Sequence, residues 1–241
     1  VRRWWLIILG WGLAAALVPP AQAAPDQAQL QKVLDQIKVT YRKLVSYSAD
    51  YVRTTRSQTM GPTGPTTRIV KATGKIFFAR FGQPGRWGRM MVRLDQEAPR
   101  EEKLMSDGLK LWWYRPWQQR AYEYSVTRHS GSLRPVLDFL QGLSGLENSF
   151  RIQWHRQKKL ARDLYAIIIE PKNPRPDLKF MVFYLNKKDL ILKGFLMVNF
   201  MGTRTEYTFT KINTSRKLAP SFFRFKRPRG VKIIRQRLAP R

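Results

Sequence analysis

Leu30, Val33, Leu34, Ile37, Tyr41 and Leu44 recur at steps of three and four residues, the spacing of one face of an α-helix. The pattern predicts one long amphipathic helix over 26–45, with Asp26 as N-cap and Gln29 placed as in a capping box. After Ser46-Tyr47 the period shortens and 48–52 reads as strand. The Gly- and Pro-bearing stretch 60–67 reads as a loop. Strand-like runs then follow at 74–80, 109–114, 164–170, 180–185, 192–200, 205–212 and 222–225. Asp107-Gly108 marks a hairpin between 102–106 and 109–114, because a tight primed turn needs positive φ. Asn186 to Asp189 and Gly202-Thr203 mark further hairpins. One interruption, 132–146, carries Val136, Leu137, Leu140 and Leu143 at helical spacing, and Gly142 and Gly145 loosen its end.

Sequential strands with short turns predict a mainly β, α+β architecture: a large antiparallel sheet, strongly bent. Two helices are too few to cover both faces, so they lie together across one. Several strands break the alternation of a sheet wet on one side: 180–185, 111–114 and 167–169 are apolar at both phases. Either a closed barrel or sandwich buries them all, or the sheet curls around an apolar cavity that takes a hydrophobic ligand. Polar neighbours separate the phases elsewhere. Lys75 leaves Ile76 and Phe78 on the other face, Lys110 leaves Leu111 and Trp113, and Glu206 with Thr208 leaves Tyr207 and Phe209. This second set is expected to form the concave, apolar face, beneath Ile37 and Tyr41 of the first helix and Val136, Leu140 and Leu143 of the second.

Composition narrows the function. The 241 residues contain no cysteine and two histidines, His129 and His155. Disulfide scaffolds, thiol catalysis and zinc–thiolate sites are thereby excluded. The histidines lie far apart without carboxylate spacing suited to a metal, and read as surface residues. No metal site and no cofactor is expected. Gly142-Leu-Ser-Gly145 fails the nucleophile-elbow pattern, and no phosphate-binding loop is present, so the chain reads as a non-enzyme. Arg2 and Arg3, an apolar run from Trp4 to Val18 and Ala21-Gln22-Ala23 have the order of a secretory signal peptide, cleaved after Ala23. The apolar run is shorter than the roughly 20 residues a spanning helix needs. The expectation is a leader, 1–23, and a single periplasmic domain, 24–241. Export also redirects the net charge of +29 away from nucleic acid and toward anionic headgroups, or simply a solvated basic surface.

Certain stretches in this order resemble the LolA-type periplasmic outer-membrane lipoprotein carriers. They are Ser46-Tyr-Ser-Ala-Asp-Tyr51, Gly74-Lys-Ile-Phe-Phe78, Pro84-Gly-Arg-Trp87, Ser106-Asp-Gly-Leu-Lys-Leu-Trp-Trp-Tyr114, Tyr207-Thr-Phe-Thr210 and Phe222-Phe-Arg-Phe-Lys-Arg-Pro-Arg-Gly-Val231. The resemblance implies an incomplete β-barrel of about eleven antiparallel strands, with a helical lid over an apolar cavity. It implies a monomer that takes acylated lipoproteins from an inner-membrane transporter and passes them to an outer-membrane acceptor. It adds Tyr51 and Trp87 to the cavity lining. The family's lid-tethering Arg stands directly before a Pro. Gln83 occupies that position here, and Arg80 is the candidate to supply the guanidinium from a shifted place. Carriage of a phospholipid, glycolipid or polyene, or a non-transport role as envelope sensor or headgroup-binding scaffold, are the alternatives.

Overall fold

The computed structural model describes residues 23–61, 64–82, 89–125, 134–143, 145–155 and 160–235. Twelve strands form one sheet. They are β1 (Ser46–Gly61), β2 (Gly64–Phe81), β3 (Arg89–Ala98), β4 (Glu102–Ser106), β5 (Lys110–Arg115), β6 (Arg120–Ser125), β7 (Phe150–Trp154), β8 (Leu164–Pro171), β9 (Phe180–Asn186), β10 (Leu192–Val198), β11 (Arg204–Asn213) and β12 (Lys232–Arg235). The α-helices among the described residues are α1 (Ala23–Lys43), α2 (Arg134–Leu140) and α3 (Leu146–Ser149).

Two antiparallel meanders, β1–β6 and β7–β11, are joined side by side through β1 and β11, giving the order β12-β6-β5-β4-β3-β2-β1-β11-β10-β9-β8-β7. The sheet ends at β7 and β12, each with a single neighbour, so it curls without closing. A closed barrel is thereby excluded. Curvature comes from strand twist and from register shifts at Ser48/Asp50, Thr73/Gly74 and Leu192/Gly194. Gly74 is required at its shift, because a Cβ there would run into the Asp95 carbonyl oxygen. Gly74→Ala is expected to lower stability by about 1–3 kcal/mol, read as an earlier midpoint in urea.

Eleven strands pair antiparallel as expected, and β12 adds a twelfth, parallel to β6. A parallel neighbour demands a crossover, and residues 214–231 supply it along the convex face. There Phe222 and Phe223 pack on Phe77 and Phe81, and Phe225 stacks on Trp112 at 5.0 Å. The strand expected at 222–225 is therefore wrong. Pro220 opens a 3₁₀ turn, Pro220–Phe223, whose rings fill a convex hollow instead of joining the sheet.

The loop expected at 60–67 is also corrected. β1 and β2 stay paired out to Gly61 opposite Gly64, with only 62–63 outside the described residues. Gly64 takes φ +112°, and Pro65 lies beyond Thr73, where β2 first meets β3, so no ladder partner needs its missing N–H. α1 is already helical at Ala23, ahead of Asp26, so Asp26 lies within the helix and is not its N-cap. The expected leader lies outside the described residues except for Ala23.

Apolarity at both strand phases has a direct cause. Ile167 and Phe183 face the main core under the helices, while their neighbours Ala166 and Val182 join Leu196 and Val198 in a separate cluster on the opposite face.

Candidate functional site

Cross-strand partners share a face, so the register writes out the concave surface. One row runs Trp154–Ile167–Phe183–Phe195–Tyr207 across β7 to β11. On the other limb, one row runs Ala49–Ile76–Leu94–Leu104–Trp113–Tyr122 and the next Tyr47–Phe78–Val92–Ser106–Leu111–Tyr124. Rings dominate. Tyr47 stacks on Phe78 at 4.7 Å, Phe195 on Tyr207 at 4.6 Å, and Phe139 of α2 on Phe183 at 4.4 Å.

Ten of the expected lining residues, Ile37, Tyr41, Tyr51, Ile76, Phe78, Val136, Leu140, Leu143, Tyr207 and Phe209, meet in one buried cluster between sheet and helices. Leu111 and Trp113 share the concave face by register but are only half-buried and stand outside that cluster. The cluster reaches β3 through Val92 and Leu94 and takes no residue from β4, β5 or β6. Trp87 and Gln83 lie outside the described residues. Tyr47, Phe139, Phe183 and Phe195 belong to the cluster and were not singled out from the sequence. Their signal was there, as aromatics in apolar runs, but such runs do not reveal which phase faces inward.

Polar contacts help to fix the helices and the sheet beneath them. The Tyr41 hydroxyl accepts the Leu192 N–H at 2.9 Å, and the Tyr47 hydroxyl donates to the Leu192 carbonyl at 2.9 Å. Burial pushes both phenols well above their ordinary pKa, so both stay protonated. Tyr41→Phe would leave the Leu192 N–H without a partner. A loss of about 1–3 kcal/mol is expected, with faster hydrogen exchange at that amide.

Arg80, on β2, reaches both helices. Its Nη1 donates to the Arg42 carbonyl at 3.2 Å, in the last turn of α1, and its Nη2 to the Leu140 carbonyl at 3.4 Å, at the end of α2. Helix C-termini present unpaired carbonyls and a partial negative charge, which a guanidinium complements. Burial lowers the Arg80 pKa from its ordinary value. A second link is the 2.8 Å ion pair between Lys38 of α1 and Glu147 of α3. Positive φ at Gly142, Leu143 and Gly145 reverses the chain between α2 and α3. A cleft of about 760 Å³ opens beside Arg80, among Lys43, Leu44, Val45, Phe81, Ile191 and Leu218.

His155 is half-buried at the end of β7, its backbone N–H donating to the Ala166 carbonyl, and is less exposed than the sequence suggested. His129 lies outside the described residues. Among the described residues no three His, Cys, Asp or Glu side chains gather where a metal could sit. The arrangement therefore offers a large apolar surface beneath helices held by packing and by polar contacts that include the Arg80 guanidinium, the Tyr41 hydroxyl and the Lys38–Glu147 pair.

Residues 43–226 match the family model described as outer membrane lipoprotein carrier protein LolA. The chain belongs to the LolA family. The outer-membrane lipoprotein carrier protein of Actinobacillus pleuropneumoniae serotype 7 is 25% identical to this LolA-family chain over 230 residues, covering 95% of it and 93% of the relative. That of Pseudomonas syringae pv. tomato is 22% identical over 232 residues, covering 95% and 98%. Among solved structures, an uncharacterized conserved protein from Thermus thermophilus superposes with a TM-score of 0.50 at 10% identity. It covers 86% of this LolA-family chain and 99% of the Thermus chain, and shows the shared fold.

Proposed function

We propose that this chain is a periplasmic, non-enzymatic carrier that shelters the acyl chains of lipoproteins on its concave face while they cross between membranes. It acts as a monomer, loaded by an inner-membrane transporter and emptied by an outer-membrane acceptor. One observation carries the reading: a continuous concave surface of rings and aliphatic side chains lies under helices tied by Arg80 and by the Lys38–Glu147 pair.

Exposed hydrocarbon costs about 0.8 kcal/mol per methylene in water, so a chain of roughly sixteen carbons faces a barrier on the order of 10 kcal/mol. A carrier must offset most of that without outbidding the next membrane. Closed, the helices fill the concave face with Tyr41, Phe139 and Leu140. An incoming chain has to displace them, so closure competes with the ligand and weakens its net hold. Release then needs no nucleotide, only an acceptor that binds the acyl chains better.

The test is release of lipoproteins from spheroplasts by the purified chain, supplied with the inner-membrane transporter. Soluble lipoprotein accumulating in proportion to added carrier is expected. Lipoprotein staying wholly membrane-bound would overturn the reading.

A further inference from the structure

Toward the end of the concave face away from Arg80, the apolar rows give way to a polar group. Arg53, Gln96, Glu102 and Arg115 all point inward by register, beside Tyr51, Tyr207, Trp113 and Tyr122. Arg53 donates to Gln96 Oε1 at 2.9 Å, and Gln96 Nε2 donates to the Arg100 carbonyl at 2.9 Å. Trp113 Nε1 donates to Glu102 Oε2 at 3.0 Å, and the Arg115 guanidinium lies 3.7 Å over the Trp113 ring. Two polar atoms there are buried without a hydrogen-bond partner, the Tyr51 hydroxyl and Arg115 Nε, although Arg115 Nε stands 3.6 Å from Glu102. Natural structures seldom leave buried donors unmet, and an orphaned donor asks for an acceptor.

We propose that this group is a seat for the phosphodiester head of a two-chain glycerophospholipid, whose acyl chains run along the apolar rows. Arg53 and Arg115 stand against Glu102, and Arg120, opposite Arg115 in the register, adds a further cation, so the group favours an anionic head. Tyr51 and Arg115 sit on β1 and β5, four places apart in the sheet order, so their donors are spread across the trough. A compact carboxylate serves one of them. A phosphate with two ester carbonyls beside it offers several acceptors at once. The Tyr51 ring already contacts Tyr207, inside the apolar cluster, so head and tails would be continuous. This rests on the carrier reading, because the seat shares the face that would hold lipoprotein acyl chains.

The experiment titrates the mature chain by calorimetry with three probes: dihexanoyl phosphatidylglycerol, dihexanoylglycerol and inorganic phosphate. The phosphatidylglycerol is expected to bind at least about tenfold more tightly than the neutral diglyceride. Tyr51→Phe and Arg115→Gln should each remove most of that preference. Tyr51→Phe should not lower the melting temperature of the free protein, because its hydroxyl has no bond to lose. Equal affinity for the two lipids, or a preference that survives Tyr51→Phe, would overturn the seat. Inorganic phosphate binding as tightly as the phosphatidylglycerol would also overturn it, by assigning the group to a free anion. Spheroplast release separates the two readings: lipoprotein release without a headgroup preference sinks only the seat, and a preference without release sinks only the lipoprotein role.

Discussion

Arg80→Leu is expected to loosen both lid helices and to slow hand-over of bound lipoprotein. The guanidinium bridges the Arg42 and Leu140 carbonyls, so its loss removes two charge-assisted hydrogen bonds from the closed form only. Such bonds are worth about 1.5–3 kcal/mol each when buried. One of these is exposed, so a total of about 1–3 kcal/mol is the reasonable scale. That shifts the open–closed balance by roughly 5- to 150-fold. Amides in 37–43 and 134–140 should exchange faster by about that factor, and so should the Leu192 amide held by Tyr41, while amides of β9 and the rest of β10 should not. If closure competes with the ligand as proposed, the variant should hold acyl chains more tightly and pass them on less completely. Arg80→Lys should fall between, since an ammonium lacks the fork that spans two carbonyls. Unchanged exchange in both helices would mean that Arg80 is not the tie.

Phe139→Ala should produce the largest loss of stability in the lid. Its ring is fully enclosed, stacked on Phe183 at 4.4 Å and meeting Tyr41 edge-on at 5.1 Å. Removing a buried phenyl costs about 3–5 kcal/mol, through lost transfer energy and the cavity left behind. For a chain of this size the melting temperature should fall by roughly 10 °C. The vacated space lies under the helices, where the acyl chains are proposed to sit. Bound acyl ligand should therefore restore part of the lost temperature, and restore more in the variant than in the parent protein. A ligand that protects both proteins equally would place the acyl chains elsewhere.

These effects depend on contacts the sequence reveals unevenly. Helical spacing from Leu30 to Tyr41 and the hairpin at Asp107-Gly108 were legible because each is local: a 3.6-residue period and a glycine at positive φ. The tight primed turn is corrected, since Ser106 pairs with Leu111 and the four-residue loop between them is held by the Asp107 carboxylate, which accepts the Leu109 and Lys110 N–H groups. Lys75, Lys110 and Glu206 marked the inward phase of their strands because a charge cannot share a dry face. Phe183 gave no such marker, since its strand is apolar on both sides and the second side is covered by its own cluster, and Lys193 pointed the wrong way for Phe195 because the register shifts between Leu192 and Gly194. The convex crossover was hidden for a similar reason. Phe222 and Phe223 look like strand residues until Pro220 and the hollow beside Phe77 are seen together. Arg80 could be suspected only from the family resemblance, because its partners are backbone carbonyls of two helices distant in the chain. The polar group around Tyr51 and Arg115 was invisible in the sequence, as it is assembled from β1, β3, β4 and β5.

The most direct measurement places a photo-reactive benzoyl-phenylalanine at one of two adjacent positions on β2. Phe78 faces the concave cluster and Phe77 the convex one, beneath Phe222. Each variant is loaded with lipoprotein bearing radiolabelled acyl chains and then irradiated. Label should become attached at position 78 and not at 77. Label at 77, or none at 78 in a loaded carrier, would contradict the claim that the hollow of the sheet holds the acyl chains.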